Sequence, residues 1–224
     1  MPKKILILSP HADDEILGCG GVIARYSSEG HDVHVLILTN ASIGAPELYS
    51  KKDINLIRAE SKKANKLIGT KNLIFEDLPA LNLQKYPMYK IANIINKHLE
   101  KIKPEIIFIP SVNDIHQDHK IIFNAAKISL RTYKKNNIEK ILSYETLSET
   151  EWNEHEKAFS PNYFVKLNKS HINLKIKAFM KYKSQVKKFP HPRSKEAIFY
   201  LSKVRGSQVF MNYAEAFKVE KILG

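Results

Sequence analysis

The sequence predicts one α/β domain, built on a mainly parallel sheet with helices on both faces, and three observations carry that expectation. Short, almost wholly apolar runs recur: Lys4-Ile5-Leu6-Ile7-Leu8, Asp32-Val33-His34-Val35-Leu36-Ile37-Leu38 and Ile106-Ile107-Phe108-Ile109. They have strand length and lack the in–out alternation of a half-solvated sheet, so both of their faces are to be covered. Strand-like and helix-like patterns then alternate through about residue 145, as parallel strands joined by crossover helices do. Finally, 224 residues suffice for one α/β core, and no repeat, low-complexity run or linker divides them. Residues 1–224 are therefore read as a single domain.

The elements follow in order. The first strand runs directly into Ser9-Pro10-His11-Ala12-Asp13-Asp14-Glu15, and a helical pattern through Val22-Ile23-Ala24-Arg25-Tyr26 stops near Gly30. The second strand ends in the polar turn Thr39-Asn40-Ala41-Ser42. A loop with Gly44 and Pro46 leads to a helix over about residues 53–67, with Gly69 as its stop signal. Ile54, Ile57, Ala64, Leu67 and Ile68 are its expected buried stripe. Leu73-Ile74-Phe75 is a third strand, and residues 76–87 form a polar loop long enough to serve a site. Ile91, Ile94, Ile95 and Leu99 mark a helix over about residues 88–102, which Pro104 ends. The strand closing at Pro110 precedes a helix over about residues 119–133 and a strand at Ile141-Leu142-Ser143-Tyr144. Residues 148–158 read as acidic and irregular, and Phe164-Val165 as a short strand. Ser170 is the expected cap of a helix to about residue 187; another helix spans about 194–204, and residues 213–219 read as a closing strand.

Composition narrows the classes. The hydrophobic fraction of 43% and charged fraction of 26% are ordinary for a soluble globular protein. No apolar run approaches the roughly 18 residues of a membrane span, so no stable membrane insertion is expected. The first strand begins at once, leaving no room for a signal peptide. A single cysteine excludes an internal disulfide and a Cys-rich zinc site, which makes the cytoplasm the expected compartment. The net charge of +13 could attract nucleic acid. The lysines, however, are spread over Lys51-Lys52, Lys62-Lys63, Lys134-Lys135 and residues 175–188, without an arginine-rich arm or interleaved aromatics. Solvated helix faces are the better reading, and no nucleic-acid partner is expected.

Two turns concentrate the chemistry. Ser9 to Glu15 places one histidine and three consecutive acids where a buried strand enters a helix, the end at which open α/β sheets bind ligands. Helix capping accounts for one or two of those acids and leaves His11 unexplained. His11 and Asp14, three residues apart, can converge on one cation while Asp13 points elsewhere and is free for acid/base work. The second turn, Asn113-Asp114-Ile115-His116-Gln117-Asp118-His119, also follows a buried strand. A helical first turn presents His116 and His119 on one side, and Asp118 between them can fix the tautomer of one imidazole. Gly18-Cys19-Gly20-Gly21 departs from the G-x-G-x-x-G dinucleotide fingerprint and falls inside the helix, so close packing suffices for it. A nucleotide-binding or methyl-transfer protein without metal chemistry is the alternative that those glycines keep open.

His11-Ala12-Asp13-Asp14-Glu15, the glycines that follow and His116-Gln117-Asp118-His119 together resemble the paired motifs of the LmbE/PIG-L zinc-dependent N-deacetylases. Arg58-Ala59-Glu60, Tyr182-Lys183-Ser184-Gln185 and Tyr213-Ala214-Glu215-Ala216-Phe217 extend the resemblance over most of the chain. Ala12 and Gln117 stand where the family commonly carries proline. The resemblance implies a Rossmann-like fold and hydrolysis of the N-acetyl group of an N-acetylglucosamine-type sugar. It implies one catalytic ion, Zn2+ with other divalent metals as the alternative, on His11, Asp14 and His119, with an open fourth position. Asp13 would be the general base. His116, oriented and kept cationic by Asp118, would stabilise the oxyanion or protonate the leaving amine. Glu15 would hold the helix start. Arg58 would bind substrate, a role for which an anionic aglycone is the expected partner, with a salt-bridging helix residue as the alternative. The partner expected is thus a small amino sugar, and the sequence leaves a homo-oligomer open.

Overall fold

A computed structural model describes residues 2–132, 137–153 and 158–223. Five parallel strands form the body of the sheet: β1 (Lys4–Ser9), β2 (Asp32–Asn40), β3 (Asn72–Pro79), β4 (Ile106–Pro110) and β5 (Lys140–Tyr144). Two more, β6 (Tyr163–Leu167) and β7 (Tyr213–Ile222), complete one seven-stranded sheet in the order β3-β2-β1-β4-β5-β7-β6. Strand β7 is antiparallel to both of its neighbours, which makes the sheet mixed at that edge.

The apolar strands sort their residues by parity. Ile5, Ile7, Val33, Val35 and Ile37 face one core, shared with α1 (Asp14–Ser28), α3 (Lys51–Ile68), α6 (Lys169–Phe179) and α7 (Lys195–Ser207). Leu6, Leu8, Leu36, Leu38, Ile107 and Ile109 face the other, covered by α4 (Met88–Ile102) and α5 (Gln117–Thr132). A four-residue helix, α2 (Ala41–Gly44), follows β2. The continuous apolar pattern of these strands thus has its physical reason: neither face of the sheet is left to water.

Helices α3 and α6 differ from the sequence expectations, and β3 runs to Pro79, taking the first four residues of the expected 76–87 loop. Helix α3 starts at Lys51 because Ser50 and Asp53 form a reciprocal capping box, and Leu67 on it is 39% exposed. The buried stripe instead includes Glu60, Ser61 and Asn65, polar groups that find partners inside the fold. Helix α6 is capped by Asn168, whose side chain accepts from His171 N, and not by Ser170. It stops at Phe179 rather than near residue 187, because Tyr182 is drawn into the core and the chain tightens there into Lys181 N–Ala178 O and Tyr182 N–Phe179 O bonds. The expected helix end at Tyr133, the lysines Lys134 and Lys135, and part of the 148–158 segment lie outside the described residues. Among the described residues no helix is long and apolar enough to cross a membrane.

Candidate active site

In this strand order the connections run one way from β1 to β2 and β3, then return to place β4 and β5 on the other side of β1. The crevice at such a reversal, at the carboxyl ends of the strands, is where open α/β sheets hold ligands. The turns after β1 and β4 meet there. The first turn is strained: Asp13 has φ 118°, a left-handed conformation that favours glycine. Buried Glu15 holds it. One of its carboxylate oxygens accepts from Asp13 N at 3.0 Å, and the other accepts from Asn65 Nδ2 at 2.8 Å and from the Tyr182 hydroxyl.

Across the crevice, His11 Nδ1, Asp14 Oδ2 and His119 Nε2 form a triangle. Its sides are 3.2 Å from His11 to Asp14, 3.1 Å from Asp14 to His119, and 3.3 Å between the imidazoles. A tetrahedral shell with metal–donor bonds of about 2.0–2.1 Å has edges of about 3.3–3.4 Å, so the triangle has the size of three corners of a zinc shell. Each imidazole is backed on its other nitrogen by a carboxylate. His11 Nε2 lies 3.1 Å from Asp118 Oδ2, and His119 Nδ1 lies 2.6 Å from Asp114 Oδ2. These bonds leave His11 Nδ1 and His119 Nε2 as the lone-pair nitrogens, which is how metal-ligating histidines are oriented.

A second donor group, His11, His116 and Asp118, shares His11, but its carboxylate already accepts from His11 and from Leu81 N at 2.7 Å. Charge is concentrated accordingly. Burial opposes charging His11, yet its hydrogen bonds to Asp118 and Asp14, whose carboxylates accept them, raise it to about 9. Burial likewise opposes His119, but Asp14 and Asp114 lift it to about 10. Burial also works against ionised Asp14, and the adjoining imidazoles nevertheless hold it well below the usual carboxylate range. The donor set is thus a pocket that seeks positive charge.

Asp13 stands apart from the triangle. Burial pushes it up to about 7 against the pull of Arg193, whose Nη1 lies 3.2 Å from Asp13 Oδ2 without hydrogen-bond geometry. Arg193 is held in turn by Ser148 Oγ at 2.8 Å, Gln185 Oε1 at 2.8 Å and Glu149 Oε1 at 3.5 Å.

The expectation for His116 needs correction. Asp118 orients His11 rather than His116, because its carboxylate reaches across to the first turn. His116 Nδ1 accepts instead from the backbone N–H of Asp118 at 3.1 Å, which leaves the ring proton on Nε2. Burial, with the charges of His11 and His119, lowers His116 to about 4. Arg58 meets both of its expectations in part. It lines the cavity, but its Nη2 donates to Asp77 Oδ1 at 2.6 Å and to Glu76 O at 2.9 Å, and the guanidinium lies over Phe75. The alternative, a salt-bridging helix residue, describes this arrangement.

A cavity of about 620 Å³ opens above the triangle, with His11, Asp13, His116, Glu149, Gln185 and Arg193 among its lining. The sequence reading missed Asp114 and the Arg193–Asp13 contact. Two histidines ask for two backing acids, so Asp114, five residues before His119, could have been found. The turn His191-Pro192-Arg193 is basic and expected at the pocket mouth, where Arg193 does lie, but nothing in the spacing announces its pairing with Asp13, 180 residues away and met only through the fold.

Residues 6–129 match the model of the PIG-L family, GlcNAc-PI de-N-acetylase. The chain is 30% identical to the uncharacterized deacetylase YaiS of Escherichia coli strain K12, over 81% of this chain and 91% of that one. Among solved structures, the N,N'-diacetylchitobiose deacetylase of Pyrococcus horikoshii superposes with a TM-score of 0.76 at 23% identity, covering 97% of this chain and 83% of the other. The 4-carboxy-2-hydroxymuconate hydratase of Pseudomonas putida KT2440 shares the fold equally well, with a TM-score of 0.76 at 19% identity over 99% and 98% of the two chains.

Proposed function

Because the chain belongs to the PIG-L (LmbE-like) family of de-N-acetylases, we propose that it is a zinc-dependent hydrolase of N-acetylglucosamine-type sugars or glycoconjugates, releasing acetate and a free amine. The fold alone does not choose this chemistry, since a hydratase shares it. The observation that carries the reading is the zinc-sized triangle of His11, Asp14 and His119 beside a buried carboxylate that is outside it.

His11, Asp14 and His119 would hold the zinc, which would supply Lewis acidity to the amide carbonyl and to the attacking water. Asp13, buried and outside the triangle, would accept a proton from the attacking water as the water's oxygen bonds to the carbonyl carbon. His116, with its proton on Nε2, donates a hydrogen bond to the carbonyl oxygen as negative charge gathers there. The C–N bond then breaks, and the proton held by Asp13 passes to the departing amine nitrogen. Asp118 acts through His11, fixing its tautomer. Nothing in this scheme uses the glycines of α1, and the sugar substrate is a small molecule met in the cytoplasm.

Acetate release from a panel of N-acetylglucosamine derivatives, with zinc and with chelator, tests the proposal. Asp13→Asn is expected to keep bound zinc while turnover falls about 10²–10⁴-fold. His119→Ala, which removes one corner of the triangle, is expected to lose most of the metal. Equal zinc content in the two purified variants would sink the assignment of roles.

A further inference from the structure

The cavity is larger than the proposed chemistry needs. An N-acetylhexosamine packed at interior density fills roughly 200–300 Å³, against about 620 Å³ here. Its walls also differ in kind. Ser184, Gln185, Arg193 and Glu149 make a polar side suited to sugar hydroxyls, whereas the side built by α3, β3 and residues 45–50 is mainly apolar, its two charged members, Asp53 and Arg58, being taken up by Ser50 and Asp77. Leu48 is 68% exposed, Leu56 53% and Tyr49 42%, so among the described residues nothing covers the outer part of that wall. Phe75 lines it further along, beneath Arg58.

Charge gives no competing recognition. Both arginines of the cavity are already ion-paired, Arg58 with Asp77 and Arg193 with Asp13 and Glu149, and no lysine lines it among the described residues. Position along the cavity separates the two apolar groups that a substrate could bring. An acyl chain begins at the carbonyl, against the metal ligands. A group on the anomeric oxygen begins one sugar ring away and can reach the rim, where the exposed apolar side chains are.

Resting on the deacetylase reading above, we propose that Leu48, Tyr49, Leu56, Ile57 and Phe75 form an aglycone subsite for an alkyl or aryl group carried on the anomeric oxygen of the amino sugar. Covering exposed leucine and tyrosine surface is favourable, and the contact is made in ground and transition states alike, so it acts mainly on KM.

The test compares four compounds on the zinc-loaded enzyme: N-acetylglucosamine, its octyl glycoside below the micelle concentration, its 1-phosphate, and N-octanoylglucosamine. The octyl glycoside is expected to exceed the free sugar at least about tenfold in kcat/KM, through a lower KM. A Leu48→Ser/Leu56→Ser double variant, at exposed positions where folding is checked by circular dichroism, is expected to cut that ratio at least about fivefold. Equal kcat/KM for the octyl glycoside and the free sugar overturns the subsite. So does an advantage that belongs to the 1-phosphate or to the octanoyl amide, which would assign the wall to an anion or to the acyl chain. Turnover of none of the four overturns the deacetylase reading, and the subsite with it.

Discussion

His119 donates from Nδ1 to Asp114, and Asp114 in turn accepts from the Thr150 hydroxyl through its other oxygen. That carboxylate sets which imidazole nitrogen faces Asp14 and raises its basicity as a ligand, without touching the cluster centre itself. Asp114→Asn keeps the shape and lowers the charge. Zinc affinity is expected to fall about 10–100-fold in a competition titration, while the secondary structure stays unchanged. Wild-type affinity in that variant would show that the backbone alone orients His119. At this scale the sequence was partly legible. The two turns and their ligand spacing are local patterns, readable from residue order. Asp118 misled because adjacency in sequence suggested His116, whereas a helical first turn sends its side chain across the crevice to His11.

Helix α1 shows what its glycines are for. A Cβ on Gly18 would lie 2.2 Å from the Tyr144 ring, and Tyr144 donates its hydroxyl to Leu8 O at 2.9 Å. The ring therefore packs between β1, β5 and the helix, at a position where only glycine leaves room. On the next turn Glu215 of β7 accepts from Gly21 N and Val22 N, each at 2.7 Å, and pairs with buried Lys175 of α6 at 2.6 Å. These contacts set α1 against the sheet and so place the strained turn at Asp13. Gly18→Ala is expected to destabilise by about 1–3 kcal/mol through overpacking, read as a lower midpoint in denaturant unfolding at unchanged slope. An unchanged midpoint would mean that Tyr144 moves aside freely. The glycine pattern was legible without its partners, since Tyr144, Lys175 and Glu215 reach α1 from far along the chain.

Across the whole molecule, the parallel part of the sheet was legible because each strand and helix is announced by its own period. The region after β5 was not: the antiparallel β7 and the early end of α6 depend on tertiary partners such as Tyr182 with Glu15. The site also leaves a global signature in stability against pH. Their carboxylate partners raise His11 to about 9 and His119 to about 10 in the metal-free fold, above a free imidazole near 6.5. A base with a raised pKa contributes stability that is complete below its unfolded value and is lost as pH rises through the folded one. Asp13, an acid raised to about 7, acts in the same direction, because the fold favours its protonated form. Asp14, lowered, matters only below its unfolded value and stays outside this window. With chelator present, the melting temperature is therefore expected to fall steadily between about pH 6.5 and pH 10. Zinc requires neutral imidazoles and replaces the protons they carry, so it should raise the melting temperature more at about pH 9 than at about pH 6. Thermal melts in both media across this range check the expectation. A chelated curve that is flat through the window would place the protons elsewhere, and a zinc effect independent of pH would mean that the ion binds away from these two histidines.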